Sequence, residues 1–281
     1  MVFLIADATG VKGENIMKLN EKKLFLLDMD GTIYLDNNLF DGTVDFLDYV
    51  SKINGKVMYL TNNSSKSVKK YIEKLSQLGI NAKESDFTTS AQATAEYLLK
   101  THPTDLLYVF GTQALKDELI SYGLNITDKL SDEIKCLVMG FDTELTFQKL
   151  EDACILLNRG VDYIATNPDW VCPTWYGSVP DCGSVAEMLY NATKRRPKCS
   201  GKPEPTMIEI AIKKTGFTKE ESIILGDRLY TDIASGSNAG IETALMLSGE
   251  STMKDVEAFE GKKPTYIFNN IRCFLNAILE Q

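Results

Sequence analysis

The sequence predicts an α/β fold built on a mainly parallel sheet, with room for a second α/β unit inserted into it. Three observations carry this expectation. Short apolar runs alternate with amphipathic stretches of helical period along most of the chain. Three of those runs end abruptly in polar clusters, as strands do where a parallel sheet meets its ligand. And the stretch between Thr61 and Lys202 is far longer than one helix and a crossover require.

The elements follow in order. LFLLD, Leu24–Asp28, reads as a short buried strand, and Val44–Ile53 has helical spacing. Lys56–Leu60 is a second strand, ending in Thr61-Asn62-Asn63-Ser64-Ser65; Ser67–Leu78 is an amphipathic helix closed by Gly79. Ser90–Leu99 reads as a helix, Leu106–Phe110 as a strand, Gln113–Tyr122 as a helix and Ile134–Met139 as a strand. Phe147–Arg159 is helical and Tyr163–Thr166 a short strand. The Pro-, Gly- and aromatic-rich run from Asn167 to Ser184 reads as irregular. Helices are then expected at Ser184–Thr193, Thr206–Thr215, Asp232–Ala239 and Ile271–Leu279, with strands at Ser222–Leu225 and Thr243–Leu247.

Composition narrows the function classes. The 281 residues are 44% hydrophobic and 25% charged, enough apolar material for a substantial core. A net charge of -9 argues against nucleic acid, whose binding requires a basic face that displaces counterions. The six cysteines lack C-x-x-C spacing and only His102 is available to join them, so they read as thiols of a reducing cytoplasm, the expected location. No apolar run reaches the roughly 18 residues that span a bilayer, so no membrane role is expected. Residues 1–16 have no basic residue ahead of a short apolar run broken by Asp7; they read as a poorly ordered extension preceding Met17, not a signal peptide.

The polar strand ends supply complementary chemistry. Leu27 leads into Asp28-Met29-Asp30-Gly31-Thr32, Leu60 into Thr61-Asn62-Asn63, and Leu225 into Gly226-Asp227-Arg228 with Asp232 beyond; Gly201-Lys202-Pro203 opens another helix. Magnesium takes hard oxygen ligands, using one or two carboxylates plus substrate phosphate, which Asp28 and Asp227 can complete. A carboxylate beside a metal that shields a phosphoryl group can attack phosphorus. Asp30 can protonate the leaving alkoxide and then activate water, and Gly31 permits the sharp turn that aims both side chains. Thr61 can hold phosphoryl oxygens, and Lys202 supplies positive charge where the transition state spreads negative charge.

DMDGT, LTNNSS, GKPEP and GDRLYTDI, in that order, resemble the four motifs of the haloacid dehalogenase superfamily. TSAQATAEYL, VFGTQAL, ATNPDWVCPT and NAGIETALMLSGE extend the resemblance to class IIA, the 4-nitrophenylphosphatase- and phosphoglycolate phosphatase-like subfamily, over roughly residues 20–275. The resemblance implies a Rossmann-like core, residues 17–99 plus 197–281, and an inserted α/β C2-type cap, residues 100–196. It implies a magnesium-dependent phosphatase, a phosphoric monoester hydrolase acting on a small phosphorylated metabolite through an aspartyl-phosphate. Sugar phosphate, phosphoglycolate, nucleotide monophosphate, pyridoxal phosphate and 4-nitrophenyl phosphate are the substrates it leaves open. Asp28 would be nucleophile and metal ligand, and Asp30 acid/base with its carbonyl on the metal. Thr61 and Asn62 would bind phosphate, Lys202 would offset its charge, and Asp227 would ligate magnesium. Asp232 would act through water or by orienting Lys202. In the cap, Asn167, Asp169 and Trp170 are candidates for a substrate-facing loop, with Trp175 and Tyr176 either ring contacts or packing anchors. Caps of this type take part in dimers in related proteins, so a homodimer through the cap is the assembly the resemblance suggests.

Competing readings are weaker. As a calcium loop, Asp28-x-Asp30 fails, with Gly in the fourth place and Leu39 where the twelfth-position Glu belongs. Asp36-Asn37-Asn38 reads as a turn, Lys194–Lys198 as a solvated connector, and His102 as an inert surface residue near a hinge. No dinucleotide or P-loop signature occurs. A phosphotransferase on the same scaffold would pass phosphate to alcohol acceptors, and a non-catalytic phospholigand sensor would bind without releasing it.

Overall fold

The computed structural model describes residues 18–174 and 176–281. The expected extension 1–16 and the aromatic Trp175 lie outside the described residues. The chain divides into two compact units. Among the described residues, the first holds 18–60, Leu75–Thr88 and Pro203–Gln281; the second holds Thr61–Lys74 and Thr89–Lys202.

In chain order the elements begin with β1 (Leu24–Leu27), the short pair β2 (Tyr34–Leu35) and β3 (Asn38–Leu39), α1 (Thr43–Lys52), β4 (Lys56–Thr61), α2 (Val68–Gln77), β5 (Phe87–Thr89) and α3 (Ser90–Thr101). There follow β6 (Leu106–Phe110), α4 (Gln113–Ser121), β7 (Ile126–Thr127), β8 (Ile134–Met139), α5 (Phe147–Arg159), β9 (Asp162–Ala165), β10 (Val171–Thr174), β11 (Gly177–Pro180), α6 (Cys182–Thr193) and β12 (Lys198–Cys199). The last stretch is α7 (Thr206–Thr215), β13 (Ser222–Gly226), α8 (Ala234–Ala239), β14 (Glu242–Met246), α9 (Met253–Ala258), β15 (Tyr266–Phe268) and α10 (Ile271–Leu279).

The first unit is built on a six-stranded sheet in the order β15-β14-β13-β1-β4-β5. β1 runs parallel to β13, Leu24 opposite Ser222 through Leu27 opposite Leu225, and parallel to β4 on its other side. All four β1 residues are fully buried, which is why the strand is apolar at every position rather than alternating. Phe25, Phe46 and Phe274 pack edge-on with ring centres 5.2–6.4 Å apart, tying the strand to α1 and α10. At the amino end of the sheet the fully buried Lys22 pairs with Glu242 at 3.1 Å and donates to the Glu220 carbonyl at 2.5 Å.

The second unit has its own parallel sheet, ordered β12-β9-β8-β6-β7. Its residues alternate between two cores. Tyr108, Phe110, Leu137 and Met139 face α5 and α6, whereas Leu107, Val109, Cys136 and Val138 face α3 and α4.

The structure corrects several expectations. The run after Asn167 is not wholly irregular: β10 and β11 form an antiparallel hairpin, Val171 opposite Pro180. β5, β7, β12, α9 and β15 are too short to give a periodic signal. The helix expected at Asp232 is preceded by a π-helical turn, Leu229–Ile233, so α8 begins only at Ala234. His102 is buried rather than an inert surface residue: it caps α3, and its ring nitrogens lie 2.9 Å from Asp105 and 3.4 Å from Asp162. The basic run 194–198 leaves Lys194, Arg196 and Lys198 exposed, as a solvated connector should, and it also makes specific contacts. Arg196 lies 3.8 Å from the Tyr190 ring centre, Lys198 sits over Tyr97, and Arg195 donates to the carbonyls of Leu157 and Val161. All six cysteines are free thiols. Among the described residues, no helix is long and apolar enough to cross a membrane.

Candidate active site

The parallel register of β1 and β13 brings two acidic strand ends side by side. Asp28 follows Leu27 and donates its main-chain N–H to the Leu225 carbonyl at 2.9 Å; Asp227 follows Gly226 on the neighbouring strand. One carboxylate oxygen each from Asp28, Asp227 and Asp232 lie within 4.8 Å of one another. Asp227 and Asp232 are buried, and Asp28 is half-buried. The site therefore gathers the predicted ligands Asp28 and Asp227, and Asp232 contributes an oxygen to the same cluster.

Beyond Asp28 the chain folds into a tight turn. The Met29 carbonyl accepts from the N–H groups of Thr32 and Ile33, and Gly31 adopts φ 90°, a left-handed conformation that side chains resist. A Cβ at Gly31 would also meet Asp227 Oδ2 at 2.4 Å. The carboxylate of Asp30 stands outside the three-carboxylate cluster and accepts a hydrogen bond from the Tyr34 hydroxyl at 3.2 Å.

The electrostatics favour a cation. Burial, and next the charge of Asp232, push the Asp227 carboxyl up to about 7, against opposing contributions from Arg228 and the Glu250 N–H. Oδ1 of Asp227 is buried with no hydrogen-bond partner among the described residues. An orphaned carboxylate oxygen among hard oxygen donors fits a divalent cation such as magnesium, with Asp28 and Asp227 to hold it.

The second unit organises the other predicted residues around Asn62. Its side chain accepts from the Lys202 N–H at 2.9 Å and donates to the Lys202 carbonyl at 3.0 Å, a two-point grip on that main chain. The Asn62 carbonyl in turn accepts from Ser90 Oγ and Asn167 Nδ2, each at 2.7 Å. Thr61 ends β4, and its hydroxyl accepts from the Asn63 N–H. Lys202 is 2% exposed, unusual for a lysine and consistent with a residue held for its charge. Gly201 is required beside it, since a Cβ there would meet the Thr166 carbonyl at 2.4 Å.

Of the loop candidates, Asn167 and Asp169 are buried. Asn167 spends its amide on Asn62 and its carbonyl oxygen on the Asp169 N–H, which makes it a strut of the loop. Trp170 is 51% exposed and Tyr176 63%. Sequence reasoning missed Tyr34 and the Ser248–Ser251 loop. That loop leaves the carboxyl end of β14, and the rule that flagged the other strand ends applies to its Ser-Gly-Glu as well.

A parallel α/β sheet that presents clustered carboxylates at adjacent strand ends defines a site of the kind that holds a cation and its ligand. Sequence comparison agrees. Residues 25–125 match the haloacid dehalogenase-like hydrolase family model, and residues 199–273 a HAD-hydrolase-like model. The chain is 36% identical over 247 residues to an acid sugar phosphatase of Staphylococcus epidermidis, covering 88% of this chain and 94% of the relative. Among solved structures it resembles a 4-nitrophenylphosphatase from Thermotoga maritima, at 39% identity and a TM-score of 0.86, covering 92% and 98% of the two chains. A glycerol phosphate phosphatase from Mycobacterium tuberculosis matches in complex with calcium (30% identity, TM-score 0.84, covering 92% and 76%) and with magnesium (29%, 0.85, 92% and 78%). The chain belongs to the haloacid dehalogenase-like hydrolases, class IIA. It is a phosphoric monoester hydrolase.

Proposed function

We propose that this chain is a magnesium-dependent phosphatase that hydrolyses small phosphomonoesters, sugar phosphates foremost, through an aspartyl-phosphate on Asp28. The observation that carries the reading is the convergence of Asp28, Asp227 and Asp232 beside the buried Oδ1 of Asp227, which has no hydrogen-bond partner among the described residues. Asp28 and Asp227, with the Asp30 carbonyl, would hold the cation. When bound, it supplies charge that shields the phosphoryl oxygens from an anionic nucleophile. The sugar phosphatase, nitrophenylphosphatase and glycerol phosphate phosphatase relatives support the substrate class, and the calcium- and magnesium-bound relatives support the divalent cation.

In this reading Asp28 attacks phosphorus and Asp30 delivers a proton to the departing alkoxide. Asp30 then takes a proton from the water that releases phosphate from Asp28. Thr61, Asn62 and Lys202 are assigned the phosphoryl oxygens on their motifs; the Asn62 grip on the Lys202 main chain supports a fixed position for that ammonium. Asp232 accepts the Arg228 N–H at 3.1 Å and so stabilises the turn that carries Asp227. Residues 100–196 would serve as the cap that selects the leaving group, with Trp170 and Tyr176 the exposed aromatic residues of its hairpin region.

Phosphate release from 4-nitrophenyl phosphate tests the class, and a panel of sugar and other metabolite phosphates ranked by kcat/KM tests the substrate. Asp28→Asn and chelation with EDTA should each abolish turnover. Full activity after either would overturn the mechanism.

A further inference from the structure

Asp227 has two carboxylate oxygens, and the structure treats them unequally. Oδ2 accepts the Glu250 N–H at 2.7 Å, while Oδ1 is buried without a hydrogen-bond partner among the described residues. The main chain of Asp227 is tied to the same segment, its carbonyl accepting from the Ser251 N–H at 3.1 Å; Ser251 Oγ accepts from the Leu229 N–H at 3.3 Å. The Ser248 hydroxyl reaches the other side of the site, donating to the Gly31 carbonyl at 2.8 Å next to Asp30. Arg228 Nε closes the loop from outside on Glu250 at 2.8 Å. Gly249 and Gly31 flank the Asp227 carboxylate, where a Cβ would fall 2.0 and 2.4 Å from Oδ2. Four consecutive residues thus contact the two strand ends that carry the acidic cluster.

We propose that the Ser248–Ser251 loop is a positioning element for the cation site. It engages Oδ2 of Asp227 and fixes the Asp30–Gly31 turn, so that Oδ1 is the oxygen offered to the metal. The inference rests on the cation reading above and goes beyond it by assigning a role to residues that contribute no side-chain ligand. Hydrogen-bonded partners that orient a metal ligand change metal affinity by about 10- to 100-fold when removed. A loop that merely braces the fold would lower stability and leave affinity unchanged at temperatures well below unfolding.

The experiment is manganese binding to the chelator-stripped full-length protein, read as free Mn2+ by electron paramagnetic resonance, without substrate. Gly249→Ala should weaken binding about 10-fold or more, because its methyl group must push Oδ2 from its place. Ser248→Ala should weaken it by a smaller factor, and Ser248→Thr, which keeps the hydroxyl, should restore it. Asp227→Asn separates the two claims. If it binds manganese as tightly as the parent chain, the cation reading fails. If it loses binding while Gly249→Ala and Ser248→Ala keep parental affinity, the loop proposal fails alone. Should Gly249→Ala not fold, the Ser248 pair decides: parental affinity in Ser248→Ala overturns the proposal, and weakened binding rescued by threonine sustains it.

Discussion

The hydroxyl of Tyr34 donates a 3.2 Å hydrogen bond to Oδ2 of Asp30, and the Gly31 N–H between them donates to the Tyr34 carbonyl at 2.8 Å. Tyr34 is fully buried, so the bond is held by packing. It restricts the carboxyl group proposed to give a proton to the leaving oxygen. Tyr34→Phe should therefore slow hydrolysis of an alkyl phosphate such as glycerol phosphate by about 10-fold, a part of the roughly 100- to 10,000-fold that general acid catalysis contributes. It should slow 4-nitrophenyl phosphate less, since nitrophenolate departs without protonation. The ratio of kcat values for the two esters is the measurement; an equal loss on both would remove Tyr34 from the acid's environment.

As a proposed cation ligand, Asp227 should link cation binding to pH. Its carboxyl is raised from 3.8 to about 7, first by burial and then by Asp232, so the folded protein holds this proton more tightly than the unfolded chain. Stability of the metal-free protein should accordingly fall as pH rises through that window, as the carboxylate ionises without a partner. Magnesium should restore it, and the gain in Tm on adding the ion should be larger at about pH 8 than at about pH 5. A gain equal at both would separate cation binding from this group.

Much of this site was legible in the sequence. Asp28 and Asp227 were readable because both follow apolar runs that can only be central strands, and adjacent parallel strands bring such ends together. Asp232 was readable by motif alone, and its entry into the carboxylate cluster depends on the π turn Leu229–Ile233, which leaves no periodic trace. Tyr34 was hidden because a tyrosine four residues past Asp30 looks like core. The β10–β11 hairpin was masked by Pro and Gly, which signal turns more strongly than four-residue strands signal pairing. His102 looked exposed because one of its two carboxylate neighbours, Asp162, is remote in the chain, although Asp105 lies only three residues on.

The grip of Asn62 on Lys202 makes a prediction in the second unit. Asn62→Leu keeps the volume but leaves the buried Lys202 N–H and carbonyl without that partner. The cost should be about 1–3 kcal/mol, read as a lower urea midpoint, with slower turnover in the protein that remains folded. An unchanged midpoint would show that water replaces the amide.

Lys22 and Glu242 offer a contrasting case. They pair at the amino end of the sheet, whereas Asp28 and Asp227 lie at the carboxyl ends of β1 and β13. Lys22→Met leaves Glu242 mostly buried without its cation and should cost about 3 kcal/mol. kcat and KM of the folded fraction should stay unchanged. A loss of kcat at temperatures well below unfolding would show that the two ends of the sheet are coupled.

The proposed mechanism turns on a covalent phosphoryl adduct at Asp28. The direct measurement is rapid mixing with a radiolabelled sugar phosphate turned over by the enzyme, quenched in acid within the first turnover. Protein-bound label is then located by peptide mapping. Label is expected on the peptide containing Asp28, rising before free phosphate appears and absent from Asp28→Asn. Free phosphate released with no label on the protein at any time, or undiminished turnover by Asp28→Asn, would contradict it.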